Sequence, residues 1–342
     1  MEKPHVLDLS LVQIEKMITD QGFQPYRAEQ LIGWIFKKYA SSYDEMTDLP
    51  KDLRTYMACN TDLHALSMLA CYSERSEESR RYLWGIDDSP VCESVLLTYK
   101  YGTTGCLSTQ VGCPVGCSFC ASGKLGFDRN LTRGEIIDQL LGMCRNTRER
   151  IGRLVFMGTG EPFFNYDNVM DAIALLSEPR TYDMSPRRIT ISTVGIPAAI
   201  RRFAHDSNGV RLAVSLHASS NPTRDRLIPV NEVYPLNEVM SAVRYFAKVT
   251  GQRVTFEYML LRGVNDSGED ALALAHLLSD LDCLVNLIRW NPVPGVDYQV
   301  TEKGQTDNFR RILERNHVKV TVRRRLGVEV KGACGQLRRA KS

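Results

Sequence analysis

From Leu154 to Val322 the sequence alternates between short apolar runs and longer amphipathic segments. Apolar runs typical of buried strands lie at 154–157, 189–192, 210–216, 254–260, 285–290 and 318–322. Helical periodicity fills the intervals between them, at 169–176, 197–203, 236–247, 271–281 and 308–315. Such alternation favours parallel strands joined by right-handed crossovers. A barrel or a partial barrel is the natural closure of such a sheet.

Polar motifs follow several of these strands. They are Gly158-Thr159-Gly160-Glu161-Pro162, Ser192-Thr193, Ser215-Leu216-His217 and Asn291-Pro292. In parallel barrels the functional side chains gather at the carboxyl ends of the strands. The sequence therefore predicts that these motifs meet at one edge of the sheet. Taken singly, His217 would be interpreted as a core histidine at the end of a strand, and Ser192 and Asn291 as ordinary polar loop residues.

A further short strand is predicted at 106–111, and it leads into a loop with three cysteines, Cys113, Cys117 and Cys120, at spacing C-x-x-x-C-x-x-C. Three close thiolates can hold an iron–sulfur cluster. Because a 4Fe–4S cluster normally has four protein ligands, three of them leave one iron open for a bound molecule. A structural zinc site needs a fourth cysteine or histidine nearby. The next cysteine, Cys144, instead fits the apolar face of a helix that begins at the capping box 132–135.

The absence of targeting signals, the cysteine content and the net charge limit which classes of protein fit this sequence. No leader segment and no apolar stretch long enough to span a bilayer is present, so we expect a cytoplasmic protein. Its ten cysteines are then expected to be ligands, catalytic residues or core residues in preference to structural disulfides. Cys59, Cys71, Cys92 and Cys283 are expected at buried apolar positions. The formal net charge of +3 does not mark a nucleic-acid binder. The basic runs 323–325 and 338–341 suit phosphate contacts, and a solvated surface explains each run equally well.

Two regions precede the cysteine loop. Helical spacing over residues 1–60 predicts a small helical module, which either packs against the rest of the chain or contacts RNA. Residues 61–100 alternate in the manner of strands. Glu93 lies on an otherwise apolar face there, together with Val95 and Leu97. An ion pair at a strand edge explains such a carboxylate in most proteins, and a catalytic role is the alternative.

Three motifs resemble those of a known family. The cysteine loop with Phe119 resembles the signature of radical S-adenosylmethionine (SAM) enzymes, and Met157-Gly158-Thr159-Gly160-Glu161-Pro162 resembles the motif that contacts the amino group of SAM there. The tail Gly332-Ala333-Cys334-Gly335-Gln336-Leu337 is similar to the ending of the RlmN/Cfr RNA methyltransferases. The resemblance implies an α/β fold with a partial (βα)6 radical SAM barrel at 101–322. A helical accessory domain at 1–60, a β-rich connector at 61–100 and a catalytic C-terminal arm at 323–342 complete the expected organisation.

The resemblance also implies roles for individual residues. Cys113, Cys117 and Cys120 would hold the 4Fe–4S cluster. Gly160, Glu161, Ser192, Ser215, Leu216, His217 and Asn291 would line the SAM site. The catalytic residues would be Cys334, Cys106 and Glu93, of which Glu93 is the proton acceptor. On the residues alone, a cysteine between glycines such as Cys334 is usually incidental, but with Cys106 it can act as nucleophile beside a resolving thiol.

The activity that the resemblance implies is methylation of an inert ring carbon. We expect methylation at C2 of an adenosine in 23S rRNA through a methyl-cysteine, with two SAM molecules per turnover and with tRNA as a further candidate substrate. Methylation at C8, which would confer resistance to ribosomal antibiotics, is one alternative, and a non-catalytic, metal-containing RNA-binding protein is another. A one-electron donor such as flavodoxin or ferredoxin, a monomeric state and no membrane partner complete these expectations.

Overall fold

The computed structural model describes residues 3–86, 89–124, 126–323, 332–333 and 335–337. The tail cysteine Cys334 lies outside the described residues, as do the basic run 338–341 and all but Arg323 of the run 323–325. Within the described ranges, no helix is long and apolar enough to cross a membrane.

Three helices form the amino-terminal module: α1 (Leu11–Thr19), α2 (Tyr26–Phe36) and α3 (Lys51–Asn60). Helix α1 begins with a capping box in which the Ser10 hydroxyl accepts a hydrogen bond from the Gln13 amide and the Gln13 side chain accepts one from the Ser10 amide. Apolar side chains at helical spacing, such as Ile14 and Ile18, are buried in a core shared with the rest of the chain.

An antiparallel ribbon continues the chain through β1 (Ser67–Ser73), β2 (Ser79–Ile86) and β3 (Ser89–Tyr99). Strand β3 pairs with β4 (Gly102–Cys106), and β4 begins the parallel part of the sheet. The predicted strands at 61–100 therefore extend the edge of the barrel sheet.

Seven strands form the parallel part of the main sheet. After β4 they are β7 (Arg153–Phe156), β8 (Ile189–Thr193), β9 (Arg211–Ser215), β10 (Val254–Leu260), β11 (Cys283–Arg289) and β12 (Lys319–Val322). The crossover helices are α4 (Arg133–Thr147), α5 (Tyr166–Ser177), α6 (Pro197–Asp206), α7 (Asn221–Leu227), α8 (Leu236–Thr250), α9 (Gly268–Leu277) and α10 (Lys303–Arg315). The ten-stranded sheet, in the order β1-β2-β3-β4-β7-β8-β9-β10-β11-β12, stays open between its ends. The predicted partial barrel is confirmed.

The strand predicted at 106–111 is wrong. Strand β4 ends at Cys106, and a separate strand β5 (Gln110–Gly112) pairs with β6 (Phe127–Asn130). The break has a local cause, because the Gln139 side chain bonds both the amide and the carbonyl of Ser108 at 2.9 Å. These backbone groups are therefore bonded by a side chain and not by a neighbouring strand.

Two of the four cysteines expected at buried positions are exposed. Cys92 and Cys283 are buried, whereas Cys59 and Cys71 face solvent. Cys59 lies in the last turn of α3, and Cys71 lies on β1, the edge strand of the sheet. The capping box 132–135 and the buried position of Cys144 agree with the prediction.

Candidate active site

A cavity opens at the carboxyl ends of the parallel strands and encloses about 790 Å³ of empty space, part of it open to solvent. We name it the strand-end cavity. Among the residues predicted for the site, it is lined by Cys113, Cys117, Cys120, Gly160, Glu161, Ser192, Ser215 and His217. The loop after β7 and the ends of β8 and β9 therefore meet the cysteine loop, as the parallel topology requires.

The cysteine loop is held by backbone contacts to distant segments. Gly112 adopts φ +75°, and a Cβ there would lie 2.0 Å from the carbonyl oxygen of Gly126, so the turn requires glycine. The Ser118 amide donates to the Leu227 carbonyl at 3.0 Å, and Trp290 Nε1 donates to the Phe119 carbonyl at 3.2 Å. These bonds fix the loop across the mouth of the barrel.

The cysteine thiols lie in low-polarity surroundings. Desolvation raises the pKa of Cys113 to about 12 and that of Cys117 well above its usual value. Such thiols stay neutral unless a bound metal displaces their protons. Among the residues that the structure describes, no three His, Cys, Asp or Glu side chains are grouped to hold a metal ion. Three cysteine sulfurs that line one cavity are a suitable donor set for an iron–sulfur cluster with one open iron.

Glu161 projects a buried carboxylate into the strand-end cavity. Its Oε1 accepts a hydrogen bond from the Phe163 amide at 3.1 Å, and its Oε2 accepts one from the Val194 amide at 2.8 Å. Desolvation nevertheless raises the pKa of Glu161 to about 7. The carboxylate is thus held rigidly and can accept a further hydrogen bond from an amino group of a ligand.

His217 follows β9 and is held as a neutral imidazole. Its Nδ1 accepts a hydrogen bond from the Met259 amide at 3.0 Å, so the proton lies on Nε2. Desolvation lowers the pKa of His217 to about 3. The ring meets the ring of Phe119 edge-on, with centroids 5.0 Å apart. His217 is therefore a buried histidine that also lines the cavity, which combines the two predictions made for it.

Two predicted residues lie outside this lining. Leu216 is fully buried, and its carbonyl oxygen accepts a hydrogen bond from Arg224 Nε at 3.2 Å. It therefore shapes the end of β9 through its backbone. Asn291 lines a neighbouring cavity instead.

That neighbouring cavity, the tail cavity, is lined by Cys106, Asn291 and the described tail residues Gly332, Ala333, Gly335 and Leu337. Cys120, Ser122 and Met157 line both cavities, so the two share a wall. The residues on each side of Cys334 therefore lie beside Cys106 and next to the cysteine loop.

Hydrogen bonds fasten the tail to the cysteine loop. The Ala121 amide donates to the Gly335 carbonyl at 2.8 Å, and the Ser122 hydroxyl donates to the Leu337 carbonyl at 2.6 Å. Gln336 Nε2 donates to the Pro292 carbonyl at 3.1 Å. No local sequence pattern indicates these contacts, because each joins a backbone carbonyl to a group that lies far away along the chain.

Glu93 is buried and forms an ion pair with Arg81, whose Nη1 lies 2.6 Å from its Oε1. Val95 and Leu97, on the same face of β3, line the tail cavity, whereas Glu93 does not line it. The structure thus shows the ion pair predicted as the usual explanation of Glu93. The next two residues on the same face of β3 line the tail cavity.

Sequence reasoning missed two buried charged groups. Glu257 lies inside β10 and lines the strand-end cavity, where Asn286 Nδ2 donates to its carboxylate at 2.9 Å. Arg224, on the unpredicted helix α7, donates to the carbonyls of Val194, Ser215 and Leu216. The apolar context of Glu257 in Phe256-Glu257-Tyr258 was a usable signal, because such a carboxylate needs a partner. Nothing in the sequence around Arg224 indicated burial.

Two family models match the chain. The Radical SAM superfamily model matches residues 107–275, and the ribosomal RNA large subunit methyltransferase N-terminal domain model matches residues 5–62. The first match contains the cysteine loop, Glu161 and His217, and the second coincides with the helical module.

Relatives cover nearly the entire chain. A probable dual-specificity RNA methyltransferase RlmN from Pelotomaculum thermopropionicum is 45% identical over 99% of this chain and 92% of its own length. One of the same name from Thermotoga maritima is 42% identical over 98% of this chain and 97% of its own. The crystal structure of a radical SAM methyltransferase from Sphaerobacter thermophilus matches with a TM-score of 0.96 and 40% identity, over 98% of this chain and 100% of that one. The chain therefore belongs to the RlmN family of radical SAM RNA methyltransferases.

Proposed function

We propose that this protein methylates C2 of an adenosine in 23S rRNA through a methyl group carried on Cys334, and that tRNA is a second substrate. The matching family model is described as a large-subunit ribosomal RNA methyltransferase domain, and the relatives are named dual-specificity RNA methyltransferases. Members of the RlmN type modify C2, and this favours C2 over C8. The observation that carries the proposal is the wall shared by the strand-end cavity and the tail cavity.

The residues fit the cofactors of the radical SAM family, a 4Fe–4S cluster and SAM. Cys113, Cys117 and Cys120 would hold the cluster, and the Glu161 carboxylate would accept a hydrogen bond from the amino group of SAM. The hydroxyls of Ser192 and Ser215, 3.3 Å apart, suit the polar groups of the nucleoside. When bound, the cluster and SAM together supply a 5′-deoxyadenosyl radical.

Cys334 and Cys106 would carry out the covalent steps. The Cys334 thiolate would take a methyl group from one SAM, which leaves as S-adenosylhomocysteine. Transfer of one hydrogen atom from that methyl group to the 5′-deoxyadenosyl radical would then let the methyl carbon bond to C2. The adduct would then lose one electron to a one-electron carrier. It would also lose the C2 proton, and Glu93 is the proposed acceptor of that proton. A one-electron carrier of the flavodoxin or ferredoxin type exchanges single electrons with the site.

Release requires a second thiol, because the methyl carbon is now bonded to both sulfur and the ring. The Cys106 thiolate attacks Sγ of Cys334, so that a sulfur–sulfur bond forms and the sulfur–carbon bond breaks. The electron pair that leaves with the carbon is protonated, and this completes the new methyl group. A thiol reductant then supplies two electrons and reopens the disulfide.

Two substitutions test this division of labour. Cys334→Ala should abolish methylation of 23S rRNA, while Cys106→Ala should form a covalent protein–RNA adduct that is not released. Cys59→Ala, an exposed cysteine on α3, is the matched control and should remain active. Mass spectrometry of nuclease fragments of the rRNA locates the methyl group. Undiminished methylation by Cys334→Ala would exclude the methyl-cysteine, and a methyl group at C8 would exclude the proposed position.

A further inference from the structure

The concave face of the sheet continues from the tail cavity toward the amino ends of the strands. On β3, Val95, Leu97 and Tyr99 share this face, and Val95 pairs with Cys106 in the register of β4. Thr104 on β4 in turn pairs with Arg153 on β7. Leu97 and Tyr99 line both the tail cavity and a second cleft. The second cleft is therefore continuous with the cavity that contains Cys106.

Arginines dominate this cleft, which we name the arginine cleft. Arg153, Arg187, Arg188, Arg211 and Arg323 line it, and the first four are exposed. Among the described residues, neither an aspartate nor a glutamate lines the cleft, and none of these four arginines forms an ion pair. By contrast, other arginines, such as the exposed Arg202 and the half-buried Arg244, pair with aspartates. The positive charge of these four arginines is therefore available to bind an external anion.

Planar side chains accompany this charge. The rings of Tyr99 and Tyr101 are stacked, with centroids 4.9 Å apart and planes 7° apart. The guanidinium of Arg153 lies 4.9 Å from the centroid of Tyr101, which is 65% exposed. Unpaired bases stack on tyrosine rings and guanidinium planes, and arginines bind the adjoining phosphates. A small anion such as free phosphate would make no use of the tyrosine stack.

We propose that the arginine cleft binds a single-stranded segment of the substrate RNA next to the target adenosine. Its arginines contact the phosphates, and Tyr101 stacks on a flanking base, so that the adjoining nucleotide can enter the tail cavity beside Cys106. This inference rests on the proposed function, since it requires an RNA substrate. Apart from Arg323, the arginines of the cleft lie outside the basic runs 323–325 and 338–341.

The experiment measures binding of a fluorescently labelled, single-stranded fragment of 23S rRNA by anisotropy over a range of salt concentrations. The double variant Arg187→Gln/Arg188→Gln removes two charges from the cleft. Arg310→Gln/Arg311→Gln removes two consecutive arginines from α10 and serves as the matched control. For single strands the slope of log K against log salt falls by roughly 0.7 for each lost phosphate contact. We therefore expect the cleft variant to lose about 1.4 from that slope and the control to lose nothing.

Tyr101→Ala separates stacking from charge. It should weaken binding roughly five- to a hundred-fold without changing the salt slope. If the cleft variant and the control bind RNA with the same affinity and slope while the unaltered protein methylates rRNA, the cleft assignment is wrong and the proposed function stands. If the unaltered protein neither binds nor methylates RNA, the proposed function itself is wrong.

Discussion

At the scale of single residues, the site combines buried charge with backbone hydrogen bonds. Glu161 accepts two amide hydrogen bonds, yet desolvation keeps its pKa near 7. Arg224 has the opposite charge and is also fully buried, and its guanidinium is bonded to backbone carbonyls and to Asn231. Both groups hold the ends of β8 and β9 in place around the strand-end cavity. Burial of each charged group costs free energy, and the hydrogen bonds to the neighbouring backbone groups and Asn231 offset that cost.

The raised pKa of Glu161 predicts that SAM binds more tightly as the pH rises through 7. In the proposed contact of Glu161 with the amino group of SAM, the ionised carboxylate is the stronger acceptor, and its fraction grows from about one tenth at pH 6 to about nine tenths at pH 8. The dissociation constant, measured anaerobically by equilibrium dialysis, should fall roughly ten-fold over that range. Glu161→Gln should lack the part of the pH dependence that arises from this carboxyl group. Titration of the amino group of SAM itself affects binding to both proteins equally, so the comparison isolates Glu161. Identical pH profiles would contradict the prediction.

Arg224→Lys should lower the free energy of unfolding by about 2–4 kcal/mol. An ammonium group cannot reach Leu216, Asn231 and Val194 at once, so buried carbonyl groups would lose their donors. Urea denaturation measures the change. Arg226→Lys, an exposed position on the same helix α7, is the matched control and should be neutral within about 0.5 kcal/mol. Equal stability of the two variants would show that the Arg224 bonds are dispensable.

At the scale of elements, the sequence was informative where periodicity is strong. Apolar runs predicted β7 to β12, and the order of polar motifs predicted that Glu161, Ser192 and His217 would meet at one edge. It failed where a side chain replaces a strand partner, as Gln139 does at Ser108. Prediction also failed at α7, because seven residues are too few for helical periodicity to be recognised. The buried Arg224 lies on this helix. Contacts between distant backbone groups leave no local pattern at all.

The docking of the tail is one such contact, and it predicts an effect of Ser122→Ala. Loss of the hydrogen bond from Ser122 to the Leu337 carbonyl should weaken docking by about 1 kcal/mol, or roughly five-fold. Faster hydrogen exchange at the amides of 335–337 would report it, and the proposed methylation of Cys334 should slow in parallel. Ser118→Ala removes a hydrogen bond to Tyr298 from the same loop and should leave exchange in the tail unchanged. Equal tail exchange in both variants would contradict the docking role.

At the scale of the whole molecule, the helical module is attached to the barrel at the start of α4. Asp8 accepts hydrogen bonds from the Gly134 amide at 2.7 Å and from the Thr132 hydroxyl at 3.2 Å. Arg133 Nε donates to the Leu7 carbonyl at 2.9 Å, and Val6 and Leu7 are buried in the common core. A carboxylate at the amino end of a helix is also favoured by the helix dipole. Asp8 therefore joins the module that matches the ribosomal RNA methyltransferase model to the barrel that contains the site.

Asp8→Ala should loosen this attachment without unfolding the barrel. The loss of the carboxylate should cost about 1 kcal/mol, because the capping box of Thr132 and Glu135 still satisfies the start of α4. Limited proteolysis should then cleave the connection at 61–66 faster than in the unaltered protein, while SAM binding stays the same. Asp20→Ala breaks an exposed ion pair with Lys16 inside the module and is the matched control. If both variants are cleaved at the rate of the unaltered protein, the buried contacts of Val6 and Leu7 suffice to hold the module, and the hydrogen bonds of Asp8 do not contribute to its attachment.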